Sequence, residues 1–165
     1  MRCESNLKIT IIAVGKLKEK YLKEGIAEYS KRLSRFCDLN IIEVADEQAP
    51  ENLSSAQEEQ VKKREAERIL KRVSSGSFLI VLDVKGKKLD SEGFASKLKS
   101  LFLSGNSNIT FVIGGSLGLD GELLRKADFS LSLSDMTFPH QLTRLILLEQ
   151  LFRAFKIING EPYHK

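Results

Sequence analysis

Two strand-to-loop junctions in the last third of the chain have the makings of a small-molecule site. The apolar run Phe111-Val112-Ile113 ends in Gly114-Gly115, and Leu131-Ser132-Leu133 ends in the polar turn Ser134-Asp135-Met136-Thr137, followed by Phe138. Paired glycines at the carboxyl end of a buried strand let a ligand reach bare backbone, and a tight turn on a neighbouring strand supplies the facing wall. Groups able to handle protons or charge follow at once: His140, Arg144 and the tail Tyr163-His164-Lys165. Arg144 falls within an apolar stripe with Leu147, Leu148 and Leu151. A guanidinium there must either form an ion pair, for instance across a dimer, or face a ligand cavity. Glu149, Arg153 and Lys156 lie on the polar edge of the same segment, where Glu149 and Arg153 have the spacing of an ion pair.

Other chemistries lack their residues. Gly15-Lys16 has no upstream glycine to make a phosphate-cradling loop, and Gly114-Gly115-Ser116-Leu117-Gly118 has serine where a dinucleotide fingerprint needs its second glycine. Gly115 to Gly118 matches GXXG but carries no basic residue to grip a nucleic-acid backbone. No G-x-S-x-G elbow is present, and the chain has two histidines, His140 and His164, which disfavours a serine hydrolase. Cys3 and Cys37 have no metal-ligand spacing, so no metal is expected and both read as reduced thiols of a cytoplasmic protein.

The elements that would position these groups alternate along the chain. Strands are expected at Leu7 to Val14, Leu39 to Val44, Phe78 to Val84, Ile109 to Ile113 and Phe129 to Leu133. Helices are expected at Lys18 to Arg35, Ser55 to Val73, Ser91 to Leu103, Asp120 to Lys126 and Pro139 to Ile158, with Ser55 and Glu58 as a capping box. Such βα alternation predicts an α/β fold with a mostly parallel sheet and helices on both faces. Asp46 to Ser54 reads as a solvated loop. The last helix is apolar round most of its circumference, which predicts burial on nearly all sides and, in so small a protein, a two-fold dimer.

At 165 residues and 42% hydrophobic content, the chain suits one domain over residues 7–165, with 1–6 as a flexible N-terminal extension. A net charge of +4 permits a nucleic-acid partner without requiring one. Lys62-Lys63-Arg64, Arg68, Lys71-Arg72 and Lys85-Gly86-Lys87-Lys88 are the candidate phosphate contacts. No run approaches the roughly 18 apolar residues of a membrane span.

The segments ITIIAVGKLKEKY, FVIGGSLGL, LSLSDMTFPHQLTRLILLEQLFRAFKI and EPYHK resemble the bacterial ribosomal RNA large subunit methyltransferase H family, small enzymes of the SPOUT methyltransferase superfamily. The likeness runs from Leu7 to Lys165. It implies a trefoil-knotted α/β homodimer that uses S-adenosylmethionine to methylate N3 of a pseudouridine in 23S rRNA, on assembled ribosomes. Position by position, it places the cofactor on Leu82, Gly114 and the run Leu133, Ser134, Asp135, Met136, Thr137 and Phe138. The sulfonium methyl is already electrophilic, so the protein need only align N3 and help its proton leave. On that expectation Arg144 stabilises charge on the base carbonyl. Tyr163 and His164 close over a flipped base, from the partner subunit if the dimer shares its sites, and His140 orients the loop or acts as a half-buried cap. Two alternatives stay open: a related enzyme acting on another RNA such as tRNA, and a non-catalytic ribosome-associated protein.

Overall fold

A computed structural model describes residues 7–163. The extension 1–6, His164 and Lys165 lie outside the described residues. The element order is β1 (Lys8–Val14), α1 (Lys20–Leu33), β2 (Asp38–Val44), α2 (Ser55–Leu70), β3 (Phe78–Lys88), α3 (Ser91–Leu103), β4 (Asn108–Ile113), α4 (Gly121–Lys126), β5 (Phe129–Ser132) and α5 (His140–Ile158). The strands form one parallel sheet in the order β2-β1-β4-β3-β5. This is the α/β class that βα alternation predicts.

Successive side chains of a strand point to opposite faces, so apolar neighbours serve two cores. On β1, Ile9, Ile11 and Ala13 join the cluster built with α1, α3 and α5, whereas Ile12 and Val14 join Ala66 and Ile69 of α2 and Leu123 of α4. Buried Leu22, Ile26 and Leu33 give α1 one apolar face at helical spacing. The first cluster is closed by an aromatic column: Phe36 stacks on Phe155 at 5.3 Å between ring centroids, and Phe102 stacks on the same ring at 5.9 Å.

Three local features differ from the sequence-based reading. The capping box of α2 is one residue earlier than expected: Ser54 Oγ accepts from Gln57 N and Gln57 Oε1 accepts from Ser54 N, because Ser54 keeps extended backbone and helical geometry starts at Ser55. Strand β3 runs on past Val84. It leaves its pairing with β5 after Leu82 and rejoins it at Lys87, so Asp83 to Gly86 form an excursion. Gly86 sits where a Cβ would come within 2.8 Å of the Ser130 carbonyl, which makes this point of return accessible to glycine alone. Finally, every residue of α5 after His140 is at least half-buried within one chain, since α1 and α3 flank it. Much of the burial that the sequence attributes to a second copy is supplied by the chain's own helices, while Leu142, Leu145, Ile146, Ile157 and Ile158 stay partly open to solvent in one chain.

Candidate active site

The carboxyl ends of β3, β4 and β5 surround a crevice of about 690 Å³, within the range of small-molecule sites. After β4 the chain turns through Gly114 to Leu119. Gly118 N donates to Gly115 O at 3.1 Å, and Gly118 has φ of +86°, a conformation suited to glycine. A Cβ on Gly114 would stand 2.9 Å from Leu119 Cδ2 and 3.2 Å from the Gly118 carbonyl carbon, so the bare α-carbon is what keeps this wall open. After β5 a serine-rich turn forms: Ser132 Oγ donates to Ser134 O at 3.1 Å and Met136 N donates to Ser134 Oγ at 3.0 Å. The chain then enters α5 at Pro139, whose carbonyl accepts from both the backbone and the hydroxyl of Thr143.

The structure brings Leu82, Gly114, Leu133, Ser134, Met136, Thr137 and Phe138 together as walls of this crevice, with His140 at its edge. Asp135 does not line it; its carboxylate holds Lys88 Nζ at 2.6 Å and so clips the turn to β3. Sequence reasoning missed Asp83 and Val84, which reach the wall through the β3 excursion, and Ser116, Leu117 and Leu119 of the glycine turn. Gly86 followed by two lysines was the available signal for the excursion, and it reads equally well as a strand end.

Burial first, and then the nearby Arg144 cation, hold His140 below the usual imidazole range. The ring is therefore neutral at physiological pH. Arg144 does not face the crevice. Its Nη1 donates to Glu43 Oε2 at 2.6 Å and its Nη2 to the carbonyls of Gly15 at 2.8 Å and Val14 at 3.2 Å, while its Nε is buried with no hydrogen-bond partner among the described residues. The ion pair foreseen for this residue thus lies inside one chain rather than across a dimer. Burial raises Glu43, but hydrogen bonds from Arg144 and Leu17 N outweigh it and the carboxylate stays below its usual range.

Beneath the glycine turn lies the buried Glu65. Its Oε2 accepts from Glu47 N at 3.1 Å, and its carboxyl would lie 3.3 Å from a Cβ on Gly115. Burial pushes this acid above the ordinary carboxylate range, with Asp46 adding to the effect and Arg68 opposing it. Cys37 is free and buried, and burial lifts its thiol to about 12, leaving it inert.

Tyr163 stands apart from the crevice. Its ring meets Phe152 edge-on at 5.0 Å, the Arg153 guanidinium lies 4.8 Å over it, and its hydroxyl donates to Glu149 Oε1 at 3.3 Å. Burial, followed by a hydrogen bond with Tyr29 and the Glu149 charge, pushes the phenol up to about 12. The expected pair of Glu149 with Arg153 is present at 2.6 Å. Arg153 lies 13 residues along α5 from His140, roughly 20 Å at helical rise. Within one chain, then, the Tyr163 cluster and the crevice are separate.

Of the basic candidates, several are paired: Lys62 with Glu59, Arg64 and Arg68 with Glu47, and Lys88 with Asp135.

The model of a family described as predicted SPOUT methyltransferase matches residues 7–164. The chain is 74% identical over 159 residues to the ribosomal RNA large subunit methyltransferase H of Acetivibrio thermocellus, covering 96% of this chain and 100% of that protein. Over the same coverage it is 65% identical to the protein of that name from Ruminiclostridium cellulolyticum and 58% identical to that of Bifidobacterium adolescentis. Among solved structures, a probable methylase family protein from Haemophilus influenzae superposes with a TM-score of 0.51 at 17% identity, covering 98% of this chain and 71% of that one. That likeness speaks to the fold alone.

Proposed function

We propose, from the premise that this chain belongs to the SPOUT methyltransferase family, that it methylates N3 of a pseudouridine in 23S rRNA within the ribosome, with S-adenosylmethionine as methyl donor. The names of its relatives supply the RNA class. The observation that carries the reading is the convergence of Leu82, Gly114 and the turn from Leu133 to Phe138 on one crevice.

The residues present fit the donor. Ile113, Leu131, Leu133 and Leu82 give a flat purine apolar walls, and the exposed backbone of the two turns gives it hydrogen-bonding edges. Bound there, the donor supplies an electrophilic methyl and leaves the protein to position the base and ease loss of its N3 proton. His140, neutral at the crevice edge, can accept a hydrogen bond from the incoming base. Arg144 supports the site through β1, by holding the carbonyls of Val14 and Gly15, rather than by touching the base. The cation next to Tyr163 is Arg153, so Arg153 takes the charge-stabilising role expected of Arg144.

The active form on this reading is a homodimer in which Tyr163, Arg153 and His164 of one protomer complete the crevice of its partner. Two facts support it: the distance along α5 between Tyr163's cluster and its own crevice, and the exposure of Met136 and Val84, 74% and 50%, at the crevice mouth.

The test is transfer of labelled methyl from S-adenosylmethionine to ribosomes from cells lacking this gene, beside naked 23S rRNA and tRNA, using the full chain and a chain ending at Pro162. Methyl entering 23S rRNA with the full chain alone is the expected result. Methyl entering tRNA instead would reassign the substrate, and donor binding without transfer to any RNA would make the protein non-catalytic.

A further inference from the structure

The loop from Gly15 to Lys18, between β1 and α1, approaches the crevice at His140, which lines its edge. Gly15 is buried, with φ of +92°, and a Cβ on it would lie 3.9 Å from His140 Nε2. Its carbonyl is held by Arg144. Leu17 N donates to Glu43 Oε2 at 2.9 Å and Lys18 N donates to Gln141 Oε1 at 3.2 Å. The backbone on both sides of Lys16, and the amide of Lys18, are thus anchored to β2 and to the first turns of α5, which begins at His140.

The two lysines themselves are exposed, and neither makes an ion pair among the described residues. This sets them apart from Lys62, Arg64, Arg68 and Lys88, whose charges are already engaged by Glu59, Glu47 and Asp135. Nearby charge is mixed, since Glu43, Asp46 and Glu19 lie in the same region, but Glu43 is engaged by Arg144. An extruded base brings its flanking phosphates to the rim of whatever crevice it enters, and cations on a rigid loop meet them without first being ordered.

We propose that Lys16 and Lys18 form a preorganised phosphate clamp that grips the RNA backbone on either side of the target base at the His140 edge of the crevice. This deepens the RNA-methylation reading and rests on it. A phosphate contact sets affinity and its salt dependence, with the chemistry at the methyl left alone.

The experiment compares the full-length wild type with Lys16→Gln/Lys18→Gln, and with Lys99→Gln as a control on the exposed face of α3. It measures S-adenosylmethionine binding by calorimetry, binding of large ribosomal subunits across a salt series, and steady-state methyl transfer. For the double variant the proposal expects unchanged donor affinity and kcat within about twofold. It also expects KM for the subunit raised about tenfold and a salt slope shallower by ~0.7–0.9 per lysine; Lys99→Gln should match wild type. An unchanged subunit KM and salt slope, or a loss confined to donor binding or kcat, would overturn it. Wild type that binds subunits without methylating them sinks the functional reading instead, and the binding arm still decides the clamp.

Discussion

Arg144 reaches across the molecule to Glu43, 101 residues earlier, and the two are joined by a 2.6 Å hydrogen bond at the carboxyl end of the sheet. The guanidinium is 1% exposed whereas the Glu43 side chain is 39% exposed, so the two ends of this pair are unequal. Replacing Arg144 with methionine strands the Val14 and Gly15 carbonyls in the interior and should cost about 2–4 kcal/mol. Glu43→Gln keeps an acceptor but leaves the buried guanidinium without its counter-charge; with the carboxylate side of the pair open to solvent, it should cost about 1–2 kcal/mol, less than the loss of Arg144. Urea denaturation of the two variants checks the order; equal midpoints would remove the structural role given to Arg144.

His140 carries a pH prediction of definite sign. Its folded-state value is depressed, so the unfolded chain binds the extra proton more readily. The native state should therefore lose stability as pH falls from about 6.5 through the lower folded value. NMR titration should give His140 a midpoint below that of a free imidazole, and His140→Gln should flatten this part of the stability profile. A midpoint above 6.5 would contradict the packing described for the α5 entrance.

Glu65 behaves in the opposite sense. Its folded-state value is raised, so its contribution to stability is fully present below the unfolded carboxyl range and is lost as pH rises through the folded value. Glu65→Gln removes the charge but keeps an acceptor for Glu47 N, and should melt at or above the wild-type temperature at pH 7.5. The advantage should shrink towards pH 4. A lower melting temperature for the variant at pH 7.5 would mean that the ionised carboxylate is the favoured state.

Gly86 tests the β3 excursion. A methyl group there meets the backbone of Ser130 and Leu131 at 2.8–2.9 Å, where no side chain can swing aside. Gly86→Ala should cost about 1–3 kcal/mol and weaken donor binding more than a change of equal cost in the α1 face, because β5 leads directly into the Leu133–Phe138 turn. Equal loss of stability with intact donor affinity would uncouple the excursion from the crevice.

What the sequence reveals follows the range of the forces involved. The helix Ser91–Leu103 is legible to the residue, since Asp90 caps it by accepting from Gly93 N and its apolar spacing is local. The strand ends that build the crevice are legible because glycine pairs and serine turns advertise backbone geometry over a few residues. Arg144 is legible as a buried cation but not as a partner of Glu43, because nothing local in a chain specifies a contact that parallel crossover connections bring about. The β3 excursion fails for a related reason: its cause is the close approach of Ser130, forty-four positions beyond Gly86. His164 and the extension before Leu7 lie outside the described residues, and the part assigned to His164 stands on the resemblance alone.

The register that sets Lys8 beside Asn108 bears on when this protein comes into existence as an enzyme. Strand β1 is the first to be synthesised, yet one of its two neighbours arrives only with the fourth strand, and β5 must then dock beside β3. Contacts so distant along the chain close slowly and late. A nascent chain that has emerged only as far as α3 can pair β1 with β2 but holds none of the Gly114 turn, the Leu133–Phe138 turn or α5. A chain that stops before α5 lacks walls of the crevice, so donor binding is expected only from chains that include β5, the Leu133–Phe138 turn and the start of α5, which binding to a series of truncated chains would check.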